Sequence, residues 1–145
     1  MFIQWSKTLE IGHPIIDYDH QMLFNMANDL YHAVKFDQGD STVTNALQLL
    51  INYIETHFAR EEALFTPTPY PHSEKHIQNH REIEHLLASF LSTYIADPDT
   101  TDMSRLLVFF KAWLIRHVGK LDRSYARYVA EAEQQSWLGK RQGFV

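Results

Sequence analysis

Apolar residues recur at three- and four-residue steps through four long stretches of this chain, and they scarcely ever alternate at the two-residue period of a strand. The first stretch starts near Asp17 or Asp19, either of which could cap it, and runs to about residue 36 with Leu23, Met26, Ala27, Leu30 and Val34 on one face. Asp37, Gln38, Gly39, Asp40 and Ser41 end it and cap a second stretch carrying Leu47, Leu50, Ile51, Ile54 and Phe58. Pro67, Pro69 and Pro71 stop that helix, since each lacks a backbone N–H and clashes with the preceding turn. A third stretch covers about residues 73 to 94, burying Ile83, Leu86, Leu87, Phe90 and Leu91, until Asp97, Pro98 and Asp99 break it. The fourth begins near Asp102, carries Leu106, Phe109, Phe110, Trp113 and Leu114, and continues towards Glu133.

Short connections between long helices make neighbours run antiparallel, so the expected fold is all-α, an up-down-up-down antiparallel four-helix bundle. One domain is expected over residues 1–145, with the bundle at about 17–134. An N-terminal arm at 1–16 is expected to lay Trp5, Leu9, Ile11 and Ile15 across it, and a short loose tail to follow at 135–145.

Hydrophobic residues make up 45% of the chain, enough to fill such a core. A formal charge of -5 argues against nucleic acid as a partner, because a phosphate backbone demands a basic face; a small local site can still differ from the bulk. The absence of cysteine excludes disulfides, thiolate zinc sites and iron–sulfur clusters. No apolar stretch approaches the ~18 residues of a membrane span, and no basic start leads into an apolar run, so a cytoplasmic protein without membrane contact is expected.

Five histidines and two acids then stand out: His20, His57 with Glu61, His76 with His80, and His117 with Asp122. Residues four apart on a helix differ by about 40° and about 6 Å, so His57 and Glu61 share a face, as do His76 and His80. Each pair borders an apolar stripe. Burying so many imidazoles and carboxylates costs on the order of several kcal/mol per unpaired charge unless a cation uses the same lone pairs. Seven ligands exceed the four of a tetrahedral zinc and suit two metals of higher coordination number. His117 and Asp122 are five apart, roughly 140° on a regular helix, so either Asp122 is a solvated acid or a partner of Lys120 or Arg123, or the helix widens between them; a π-type turn is the expectation, with Gly119 easing the distortion. His13, His32, His72 and His85 lack this spacing and are expected at the surface or at helix ends.

The pattern extends beyond these ligands. Trp5, Gly12, Asp17 and His20, the run His57, Phe58, Glu61 and Glu62, then Tyr70, Pro71, His76, His80, Trp113, Leu114, His117 and Asp122 together resemble the bacterial hemerythrins, non-haem di-iron oxygen-binding four-helix bundles. The resemblance runs to about Tyr128. It implies two non-haem irons bridged by an oxo or hydroxo group, with His76, His80 and His117 on one iron and His20 and His57 on the other. Glu61 and Asp122 would bridge the pair, dioxygen would bind at an open position on the second iron, and Phe58, Trp113 and Leu114 would line its pocket. Phe65, Asp19 and His13 depart from the usual residues of the family without removing a ligand, and they bear on pocket shape and oxygen affinity.

Reversible dioxygen binding, for carriage or storage, is the expected function, and no catalysis is expected. The alternative is an oxygen- or redox-sensing domain that signals through the di-iron oxidation state to a partner or fused output domain; a homo-oligomer is the other partner considered. Ferritin-like di-iron proteins use four carboxylates, and neutral imidazoles supply less negative charge to stabilise high-valent iron, which favours binding dioxygen over cleaving it. Imidazole and carboxylate ligands fit iron, while manganese, zinc and copper accept them too.

Overall fold

The computed structural model describes residues 1–143, with side chains through Trp137. Its helices are α1 (Pro14–Lys35), α2 (Asp40–Phe65), α3 (Ser73–Ala96), α4 (Met103–Arg116) and α5 (Arg123–Gly143). A π turn, His117–Asp122, joins α4 to α5, so five helical segments make the four long elements of a bundle, and no strand occurs among the described residues. α1 packs on α2 and α4, α2 packs on α3, and α5 returns to α2. No helix is long and apolar enough to cross a membrane.

The first helix begins earlier than the sequence suggests. Pro14 opens it, where a missing N–H costs nothing, and His13 Nδ1 accepts the Ile16 N–H at 3.4 Å as the cap. Neither Asp17 nor Asp19 is the cap. Asp17 turns back to accept the N–H groups of Ile11 and Gly12 at 2.8 and 3.1 Å, fastening the arm where Gly12 takes a φ of 92°. Asp19 is buried in the bundle. Gly39 rather than an acid precedes α2, with a φ of 99° that favours glycine.

Leu23, Leu30, Leu47, Leu50, Ile54, Leu87 and Phe110 belong to one large core, and Phe65, Tyr70, Tyr125 and Val129 form a smaller one. On α2 the residues between Phe58 of the first core and Phe65 of the second include Glu61, so the polar site sits between two apolar bodies. Phe109, expected inside, is exposed, and Leu107 is buried instead. The arm is held by the Asn28 amide, which bonds both the N–H and the carbonyl of Ile3, and by Phe2 stacked on Tyr31 at 4.5 Å. Ile15, expected to pack with the arm, lies exposed on α1. The end of the chain, expected to be loose, continues as helix to Gly143; Phe144 and Val145 lie outside the described residues.

Candidate metal centre

The turn from His117 to Asp122 is a π-helix, as expected. It brings both side chains to one face, with His117 Nε2 2.9 Å from Asp122 Oδ1. Gly119 lies within the turn without a positive φ, and a Cβ there would meet only Leu9 Cδ2, at an ordinary 3.7 Å, so the space around it does not require glycine. His117, Val118 and Asp122 are the buried residues of the turn.

All seven candidate residues are 2% exposed or less. Their ligand atoms fall into two sets: Glu61, His76, His80, His117 and Asp122 in one, His20, His57, Glu61 and Asp122 in the other. Within each set the atoms lie within 4.8 Å of one another, and Glu61 and Asp122 belong to both. His20 Nε2 is 2.8 Å from Asp122 Oδ2, His76 Nε2 is 2.9 Å from Asp122 Oδ1, and His57 Nε2 touches Glu61 Oε1. Glu61 Oε2 faces His76 and His80 at 3.7 and 3.6 Å.

The outer nitrogens of four imidazoles are occupied. His57 Nδ1 donates to Asp19 at 2.9 Å, His80 Nδ1 to Glu62 at 2.8 Å, His76 Nδ1 to the Tyr70 hydroxyl at 3.1 Å, and His117 Nδ1 to Asn79 Oδ1 at 3.1 Å. Tyr70 passes the chain on to Ser124, which donates to the Leu121 carbonyl. With the proton on Nδ1, each neutral ring turns a lone pair inward at Nε2. His80 and His117 then aim two such lone pairs at each other across 3.2 Å, an arrangement that repels without a cation to share. Buried Glu61 Oε2 also lacks a hydrogen-bond donor. The donor set fits a pair of cations with imidazole and carboxylate ligands.

In the absence of a cation the electrostatics of the cluster are divided. Burial, reinforced by neighbouring His117 for His80, pushes the His80 and His117 imidazoles towards the neutral, ligating form. Burial would lower His20 as well, but the Asp122 and Glu61 carboxylates outweigh it and raise the ring to about 9. Glu61 is driven well above the carboxylate range by burial and by the Asp122 charge. Asp122 goes the other way: burial opposes its charge, yet His117, His20 and His76 hold it ionised.

Asp19, Glu62, Tyr70 and Asn79 complete the site, and ligand spacing along the sequence gives none of them this role. Three of them adjoin a ligand in the chain (Asp19 before His20, Glu62 after Glu61, Asn79 before His80), and a polar neighbour of a buried ligand is the signal that was there to use. Phe58 lies flat on His80, centroids 3.7 Å apart, and Trp113 lies on His117 at 4.5 Å. Phe58 and Trp113 are 6.0 Å apart, and Leu114 is buried on the same helix. His13, His32, His72 and His85 stay outside both ligand sets.

A family model described as the hemerythrin HHE cation binding domain matches residues 12–129. Among curated relatives, the chain is similar to a bacteriohemerythrin of Stenotrophomonas maltophilia, 26% identical over 94% of this chain and 92% of that protein. It is similar also to a bacteriohemerythrin of Clostridium acetobutylicum, 28% identical over 86% of this chain and 98% of that one. A myohemerythrin of Theromyzon tessulatum is 24% identical over 84% and 89%.

Proposed function

The chain belongs to the hemerythrin family, and from that premise we propose that residues 1–145 form a single domain that binds dioxygen reversibly at two non-haem irons, as a carrier or store. One observation carries the proposal: two fully buried ligand sets share Glu61 and Asp122. His76, His80 and His117 would hold one iron and His20 and His57 the other, with Glu61 and Asp122 spanning both, alongside an oxo or hydroxo bridge. The first iron would thus have three imidazoles and the second two, which leaves the second with the free position for dioxygen.

The chemistry supplied by such irons when bound is a pair of one-electron couples, matched to taking up and releasing dioxygen. The chain does the rest. Asp19, Glu62, Tyr70 and Asn79 fix the tautomers of four imidazoles, so their inner nitrogens stay unprotonated. Phe58, Trp113 and Leu114 exclude water on the side of the ligand rings they cover, which keeps protons from a bound ligand that would otherwise depart as a reduced product. With two carboxylates among seven ligands the site favours binding over catalysis.

The test is anaerobic reduction of the iron-loaded protein followed by dioxygen. A visible charge-transfer band that appears with oxygen and vanishes under vacuum is the expected result. Irreversible conversion to the diferric protein would favour redox sensing, and a single zinc per chain on metal analysis would overturn both readings.

A further inference from the structure

Behind His76 and His117, on their outer side, the bundle surface opens into a cavity of about 460 Å³. Lys75, Arg116 and Lys120, all exposed, stand around it, and Trp113 and Leu121 contribute apolar wall. No acidic residue lines it, although the chain has 18 acids against 13 lysines and arginines. Among the described residues none of the three cations has a hydrogen bond or an ion pair. Asn79 also lines the cavity; its carbonyl is engaged by His117, and its amide NH₂ has no partner among those residues. Every charge and the spare donor therefore favour a negative ligand, in a molecule whose overall charge is negative.

Size and charge narrow the chemistry. A cavity within the range of about 300–1,000 Å³ that takes small organic molecules is far larger than a lone inorganic anion needs. Two lysines and an arginine exceed what a monoanionic carboxylate requires, and they match a phosphate monoester carrying about -1.5 to -2 charges at neutral pH. Arg116 supplies a planar fork suited to phosphate oxygens, while the lysines act as point charges.

We propose that this cavity binds a small organic phosphate of mononucleotide size, its phosphate held by Lys75, Arg116 and Lys120 and its flat body against Trp113 and Leu121. The ligand would sit against the hydrogen bonds that orient His76 and His117, though its binding needs neither iron nor oxygen. The proposal therefore stands or falls separately from dioxygen binding.

The test is a fluorescence titration of the purified full chain with flavin mononucleotide. Saturable binding is expected, weakening as salt is raised, with riboflavin, which lacks the phosphate, binding at least tenfold more weakly. Lys75→Glu with Arg116→Glu should weaken binding of flavin mononucleotide at least tenfold. Lys7→Glu with Lys111→Glu, the same change in net charge away from the cavity, should leave it unaltered. Circular dichroism checks the fold, and Lys75→Gln with Arg116→Gln replaces the charge reversal should that unfold the chain. Absence of saturable binding, equal affinity for riboflavin, native affinity in the cavity variant, or displacement by an equal concentration of inorganic phosphate would each overturn the proposal.

Discussion

Asp19 Oδ2 lies 2.9 Å from Nδ1 of His57, and its other oxygen takes the Tyr53 hydroxyl at 2.7 Å. Burial resists the Asp19 charge, but the hydrogen bonds from His57 and Tyr53 hold its carboxyl below the usual range. The contact turns His57 Nε2 towards Glu61 and makes that ring a better donor to a metal. Asp19→Ala should weaken metal binding about 10- to 100-fold, seen by competition with a chelator. Asp19→Asn, which can still accept one hydrogen bond, should fall between the two. Native affinity in Asp19→Ala would remove Asp19 from the site.

Gly119 yields the opposite expectation. Room for a Cβ and a helical backbone mean that Gly119→Ala should keep the π turn, bind two metals, and change stability by no more than about 1 kcal/mol in urea unfolding. Loss of metal in that variant would show that glycine, rather than the burial of His117 and Asp122, sustains the distortion.

The contrast marks what the sequence can carry. Helix spacing places His57 beside Glu61 and His76 beside His80, because these are local consequences of backbone geometry, whereas His20 and Asp122 take their roles from the family resemblance, and the π turn follows only once Asp122 shares a site with His117. Apolar periodicity likewise located four helices. Caps were misread because Asp17 and Asp19 are capping residue types whose carboxylates find distant partners, the arm for one and α2 for the other. Phe109 was misplaced since the stripe of α4 is wide enough to include its edge. The bonds from Tyr70 to His76 and Asn79 to His117 depend on how helices meet, which no single stretch records.

Metal removal should cost stability. Glu61 and Asp122 are fully buried, Glu61 Oε2 has no hydrogen-bond donor, and a cation is the partner that would satisfy both carboxylates. A metal at 100 times its dissociation constant contributes about 2.7 kcal/mol per site, so the chelated protein should melt several degrees lower, and iron should restore it. Glu61→Ala should abolish occupancy by two metals, with metal analysis giving one per chain or fewer. Two metals retained would exclude Glu61 as a shared ligand.

Alkaline stability has a separate source. The Tyr94 hydroxyl donates to Asp40 at 2.9 Å, and burial together with that carboxylate raises the phenol to about 12. The unfolded phenol titrates near 10, so the folded state holds its proton more tightly. Its stabilisation is complete below pH ~10 and is lost as pH rises towards ~12. Tyr94→Phe should destabilise the protein by about 1 kcal/mol at pH ~9, with the difference from wild type shrinking above pH ~10 in urea titrations. A difference that does not shrink would disconnect the bond from the titration.

Leu114 tests the exclusion of water. It is 1% exposed, one turn of helix before the π segment, in the core that includes Phe58. Truncation to alanine removes about 2–5 kcal/mol of packing and opens space for solvent beside the ligand rings. Leu114→Ala should therefore keep both irons yet autoxidise faster than the native protein, followed as the decay of the oxygen-dependent band. Leu114→Met conserves volume and should behave as the native chain does, separating a lost wall from general loosening. If Leu114→Ala autoxidises at the native rate while still binding two irons, Leu114 is core and not pocket, and the shield reduces to Phe58 and Trp113.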